Sequence, residues 1–158
     1  MTAIEKLLIK NTCLELMTAY CTHLDSRDEA AFLGLFTPDA VFVRLAEPVA
    51  EWPGHAGIRG LFNARAASIL SYHMMLNHTV TIPDADTAHA TALGQVVRGN
   101  RDRDTWPKPI RGLELLVDYQ FSFRRVGDDW RITRCGVHKR LDIEVTTLAA
   151  QAPAAAGA

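Results

Sequence analysis

A carboxylate stands where a helix ought to be apolar. From Thr22 to Phe42 the chain reads THLDSRDEAAFLGLFTPDAVF. Asp25 there closes a pattern in which Ile4, Leu7, Leu8, Leu14, Met17, Cys21 and Leu24 recur at spacings of three and four, the mark of an amphipathic helix. At about 100° per residue Asp25 projects roughly 20° from Leu14 and 40° from Cys21, which aims its charge inward. Burying an unpaired carboxylate is expensive. The bland reading is a helix-end carboxylate paired with an arginine such as Arg27. The sharper one is a carboxylate kept for chemistry, and proton transfer through an imidazole is the chemistry it suits best. Other chemistries have less support. The six histidines show no H-E-x-x-H or similar chelating pattern, so no metal is expected, and no Gly-rich phosphate loop announces a nucleotide cofactor. Cys13, Cys21 and Cys135 are odd in number and lack CxxC spacing, which reads as core thiols in a reducing compartment.

The elements that must position Asp25 follow in order. Ser26-Arg27-Asp28-Glu29 has the S-x-x-E form of a capping box and would start a short second helix through Phe32, Leu33 and Phe36, ended by Thr37-Pro38-Asp39. A strand is expected over 40–44 and a third helix over 54–67, carrying Ile58, Leu61 and Phe62. Beyond that the pattern is β-rich, with strands over 71–82 and 88–98 and a long pair, 113–126 and 130–145, joined at Gly127-Asp128-Asp129. Helices first and an antiparallel meander afterwards imply an α+β fold: three N-terminal helices packed on one face of a curved sheet that closes over a pocket. Residues 1–146 would form that single domain and 147–158, rich in Ala and Pro, a disordered tail. The polar segment GNRDRDTWPKPIR, 99–111, would be a loop at the pocket mouth or at an interface.

Composition narrows the partners. The chain has 158 residues, 48% of them hydrophobic, with Lys+Arg 17 against Asp+Glu 18. That balance offers neither a nucleic-acid surface nor a polybasic membrane anchor. Charges interrupt the apolar N-terminus and no run reaches membrane-spanning length, so the expected location is cytoplasmic and the expected partner a small hydrophobic molecule. Apolar residues such as Leu113, Leu115 and Val117 would leave a sheet face to be covered in a homodimer or homotrimer.

The runs L-D-S-R-D and F-T-P-D-A-V-F, the H-x-x-x-N-H at His73, D-A-D-T-A at Asp84 to Ala88 and W-R-I at Trp130 resemble the SnoaL-like branch of the nuclear-transport-factor-like superfamily. Over roughly residues 4 to 145 the chain looks most similar to scytalone dehydratase and bile-acid dehydratase. That resemblance implies a cone-shaped fold and a catalytic pair, an Asp on the first helix and a His on a strand, at Asp25 and His73. Bile-acid dehydratase has an active-site Tyr where Tyr20 stands. On a straight helix Tyr20 and Asp25 diverge by about 140°, so both would line one pocket only if the helix bends or ends between them. Departures are equally plain: where the dehydratases carry a Tyr on the first strand and scytalone dehydratase a second His, gap-free counting finds Arg44 and Arg98. Inward guanidinium groups there would favour a carboxylate, phosphate or enolate oxygen. Strand alternation puts Asn77 on the face of His73, as a pocket donor, and Trp52 would serve as pocket wall.

Such a pair has an intelligible chemistry. Loss of water beside a carbonyl needs a base to take a carbon-bound proton and an acid to protonate the departing hydroxyl, and an imidazole can do both in turn. A carboxylate bonded to one ring nitrogen fixes the tautomer and orients the other. The leading expectation is a cofactor-independent dehydratase or isomerase acting on a small cyclic substrate. The alternatives are a non-catalytic ligand-binding protein of the same fold, and an assembly subunit using the basic face that Arg124, Arg125, Arg131 and Arg134 would give the last hairpin.

Overall fold

The computed structural model describes residues 1–142 except 103, 105 and 109, and omits the side chains of 110–114 and 142. The expected tail, the end of the last strand at Val145 and part of the 99–111 segment therefore lie outside the described residues. Helix α1 (Ala3–Ser26) begins with a capping box that the sequence reading overlooked: Thr2 Oγ1 accepts from the Glu5 amide at 3.2 Å and Glu5 Oε2 accepts from the Thr2 amide at 2.5 Å. Only its later turns are buried, through Cys13, Met17, Tyr20, Cys21 and Leu24, while Ile4, Leu7 and Leu8 are exposed. Arg27 ends the helix in the left-handed region at φ 62°. The expected Ser26–Glu29 box does not form. Ser26 belongs to α1, and Asp28 caps the next helix, α2 (Glu29–Gly34), by accepting from the Ala31 amide at 3.0 Å.

Strand β1 (Phe36–Arg44) starts earlier than expected and carries Thr37-Pro38-Asp39 through a register irregularity, a place where a strand tolerates proline. A short strand that the sequence reading missed, β2 (Ala50–Pro53), pairs back on it. Helix α3 (Gly54–Asn63) stops four residues before its expected end at 67. Strands β3 (Ile69–Thr81), β4 (Thr87–Asn100), β5 (Ile110–Val126) and β6 (Asp129–Asp142) follow. Gly127, at φ 63°, takes the first central position of the two-residue β5–β6 turn, where a side chain would be strained. The sheet order is β2-β1-β6-β5-β4-β3, with β1 and β6 parallel and the other pairs antiparallel. The result is an α+β fold with a curved, unclosed six-stranded sheet, α1 packed on β3 and α3 on β1.

Between helices and sheet the core is aromatic. Tyr20 meets Phe32, Phe36, Tyr119 and Phe121 with ring centroids 5.2 to 6.3 Å apart, the edge-on and tilted contacts that aromatic quadrupoles favour. Cys13, Cys21 and Cys135 are free and buried. Burial pushes Cys13 up to about 11, and burial with the nearby Asp25 charge pushes Cys21 up to about 12, so both stay protonated thiols. Two surface expectations change. Leu115 and Val117 line the interior rather than an open face, and the Leu113 side chain lies outside the described residues. The outer face instead shows Tyr72, Met74 and Leu76 of the edge strand β3. The hairpin arginines are paired: Arg124 with Asp39 at 3.0 Å, Arg125 with Asp128 at 3.7 Å, Arg131 with Asp129 at 3.0 Å and Arg134 with Glu51 at 3.6 Å. Those carboxylates offset the basic face.

Candidate active site

Asp25 ends the buried stripe of α1, and β3 passes directly beside it. Ser71 and His73, two residues apart, point to the same side of that strand. Asp25 Oδ1 lies 2.5 Å from His73 Nδ1, and Asp25 Oδ2 accepts from the His73 amide at 2.6 Å. Ser71 Oγ donates to Asp25 Oδ1 at 2.8 Å. One carboxylate thus holds the imidazole and the backbone of the same residue, which fixes the ring against rotation and sliding. The two side chains are 14% and 8% exposed. Burial alone would raise the Asp25 carboxyl, but the bonds from His73 and Ser71 outweigh it and hold it below its ordinary value. With Asp25 ionised, Nδ1 is the donor to Oδ1 and Nε2 remains as the nitrogen for exchange.

His73 faces a cavity of about 200 Å³. Leu24, Phe32 and Phe62 line it from the helices and Val96, Leu115 and Val117 from the sheet. Its polar lining consists of Tyr20, Arg65, His73, Arg98 and Tyr119. Asp25 is not part of the lining; it borders a second, outer depression lined also by His73 and by Arg101, which donates to the Asp25 carbonyl at 3.2 Å. This arrangement removes the conflict between Tyr20 and Asp25. The helix runs unbroken past both, Tyr20 turning into the cavity and Asp25 toward the flank of β3. Burial first, then the nearby Cys135, keeps the Tyr20 phenol well above its ordinary value and therefore neutral.

The other expected site residues divide. Arg98 lines the cavity. Arg44 does not: although in phase with the lining residue Phe42, it is the last residue of β1, and its guanidinium turns back to donate from Nε and NH2 to the Pro48 carbonyl at 3.2 and 2.9 Å. Asn77 is exposed because the β3–β4 register slips between Leu76 and Thr79, with Asn77 at φ 52°, so simple alternation fails at that point. Trp52 lies outside the lining, edge-on to Phe42 with centroids 5.9 Å apart. The residue that the sequence reading missed is Arg65. It follows α3, lines the cavity, and donates to Ser71 Oγ at 2.7 Å and to the Leu24 carbonyl at 3.4 Å. Its signal was present, since Ile58, Leu61, Phe62 and Arg65 stand at i, i+3, i+4 and i+7, a charge on an apolar stripe. Burial lowers its guanidinium, and the Asp25 charge partly restores it. Among the described residues no group of three or more His, Cys, Asp or Glu side chains is arranged to hold a metal ion, and no helix is long and apolar enough to cross a membrane.

Comparison with known proteins agrees with this architecture. A Novosphingobium aromaticivorans protein provisionally described as an aromatic ring hydroxylase superposes with a TM-score of 0.68 at 28% identity, covering 91% of this chain and 95% of its own. A provisionally named scytalone dehydratase from the same organism gives 0.73 at 16% identity, covering 90% and 93%. A hexachlorocyclohexane dehydrochlorinase (LinA, type 2) gives 0.76 at 12% identity, covering 97% and 99%. The last two are similar in fold alone. No curated protein matches the chain. The profile of the SnoaL-like domain matches residues 5–136, most of the sequence, and the chain belongs to that family.

Proposed function

We propose that this protein is a cofactor-independent lyase that eliminates water from a small hydrophobic cyclic ketone, with His73 as the catalytic acid–base and Asp25 as its positioning residue. The observation that carries the reading is the placement of one histidine: its Nδ1 is held by Asp25, which lies outside the cavity, while His73 is among the residues that line the cavity. Nε2 takes the proton from the carbon next to the carbonyl, and the C–H electrons pass into the carbonyl as an enolate. Positive charge from Arg98 on the wall offsets the charge developing on that oxygen. As the enolate collapses to a C=C bond, the C–O bond to the leaving hydroxyl breaks and the imidazolium returns its proton to that oxygen. Water departs and nothing is oxidised or reduced. The apolar walls of Phe32, Phe62 and Leu115 keep bulk water from the enolate and suit a ring. An isomerase differs only in returning the proton to carbon, so the same residues serve either outcome. A screen of β-hydroxylated cyclic ketones, followed by the absorbance of the conjugated enone, tests the proposal: at least one compound is expected to turn over with wild-type protein and none with His73→Ala. Equal rates for the two proteins would overturn it.

A further inference from the structure

Arg65 is a cation at the edge of a largely apolar cavity, and its acceptors among the described residues are all neutral. Its guanidinium carries five N–H donors. Among the described residues its acceptors are the Ser71 hydroxyl and the Leu24 carbonyl, which leaves donors over. The side chain is half-buried, and the described cavity lining contains no carboxylate. Desolvating a guanidinium beside aromatic and aliphatic walls is costly unless an anion accompanies it. Asp25 does not fill that role directly: it is reached only through Ser71, and it is already engaged by His73. From this arrangement we propose that the substrate carries a carboxylate on its ring system, seated against the spare donors of Arg65, with the reacting carbon turned toward His73.

The fork geometry favours a carboxylate over a spherical or single-oxygen anion, because two parallel N–H groups of a guanidinium match two coplanar oxygens. The size fits as well. A dry cavity of about 150 Å³ accepts benzene, so about 200 Å³ admits one substituted ring or two fused rings. Location gives a second consequence. Arg65 and His73 meet the two ends of the Ser71–Asp25 link, so an anion on Arg65 anchors the ring beside the imidazole without competing for its nitrogens. Specificity would come from the same contact, since a neutral analogue offers the spare guanidinium donors no charged acceptor.

This assignment rests on the lyase reading for the identity of the reacting molecule, but its test reads binding alone. Calorimetric titration of wild-type protein with 2-naphthoate and 2-naphthamide, and with benzoate and benzamide, is expected to show each carboxylate binding roughly tenfold or more tighter than its amide. Arg65→Gln should bring the two affinities together, and Arg65→Lys should keep a reduced preference, because it retains charge without the fork. His73→Ala should keep the full preference while losing turnover, so failure of the lyase reading leaves this result intact. Equal affinity of acid and amide for wild-type protein, binding of neither carboxylate, or an undiminished preference in Arg65→Gln would overturn the proposal. Should Arg65→Gln not fold, the wild-type and Arg65→Lys ratios decide it.

Discussion

Asp25 meets His73 through two atoms at once, Oδ1 at 2.5 Å from Nδ1 and Oδ2 at 2.6 Å from the amide nitrogen. A carboxylate can accept at both places; a carboxamide cannot. In Asp25→Asn the amide oxygen would keep the backbone N–H and the NH2 would face Nδ1, which turns the imidazole to the tautomer with its proton on Nε2. The base is then blocked at the atom that faces the substrate. Turnover should fall by about 10²-fold or more with ligand affinity little changed, because the cavity walls are intact. A kcat/KM split on the substrate found by screening checks this.

Asp25 should also contribute to stability, in contrast to a carboxylate kept only for chemistry. Its folded-state pKa lies below the ordinary carboxylate value. The contribution is therefore fully present above about pH 5 and is lost as pH falls below about 4 toward the lowered value. Wild type should exceed Asp25→Asn by about 1.5–3 kcal/mol at pH 7, the size of a lost charge-assisted hydrogen bond, and the gap should shrink in acid. Urea unfolding of both proteins from pH 7 downward measures it, and a constant gap would contradict the assignment.

Arg44→Leu separates the rim from the site. Among the described residues the guanidinium bonds the exposed Pro48 carbonyl alone, so the substitution should cost at most about 1 kcal/mol in stability. Activity and carboxylate binding should be unchanged within error. A tenfold loss of affinity would return Arg44 to the cavity.

Gly94 tests the far wall. A Cβ there would stand 2.3 Å from the Tyr119 ring and 2.6 Å from Val117 Cγ2, both lining residues. Gly94→Ala should destabilise the protein by about 1–3 kcal/mol through overpacking and weaken binding of two-ring ligands by pushing Tyr119 inward. Thermal melts and the naphthoate titration report the two effects separately.

The sequence-based expectation of a homo-oligomer moves to a different surface. Tyr72, Met74 and Leu76 are exposed on the outer side of an edge strand, a contiguous apolar patch that a second copy of the chain would cover. Light scattering at micromolar concentration should show a dimer, and Tyr72→Lys with Met74→Lys should yield a folded monomer. A wild-type monomer would refute this.

Much of the candidate site was legible because a charge on an apolar stripe is a local signal. Asp25 shows that signal on α1, and Arg65 continues the apolar stripe of Ile58, Leu61 and Phe62 just past the end of α3. The fold class followed from the order of helical and alternating patterns. What failed was counting along strands. Gap-free alternation does not register the slip beyond Leu76 or the irregularity between Phe36 and Val41, and so it misplaced Asn77 and missed the early start of β1. Nor does alternation tell where a strand outruns the helices packed on it, which is why Arg44, in phase with Phe42, reaches the Pro48 carbonyl and not the cavity. Capping erred for a related reason: Ser26 and Asp28 are both good cap types, and only the left-handed turn at Arg27 decides between them.

In the proposed mechanism His73 itself carries the proton. Replacing it with alanine leaves a space in the cavity wall that free imidazole can enter. Turnover of His73→Ala on the screened cyclic ketone, measured with and without added imidazole, is expected to be undetectable without it and partly restored with it, saturating as the imidazole concentration rises. Activity in His73→Ala comparable to wild type without imidazole would contradict the account.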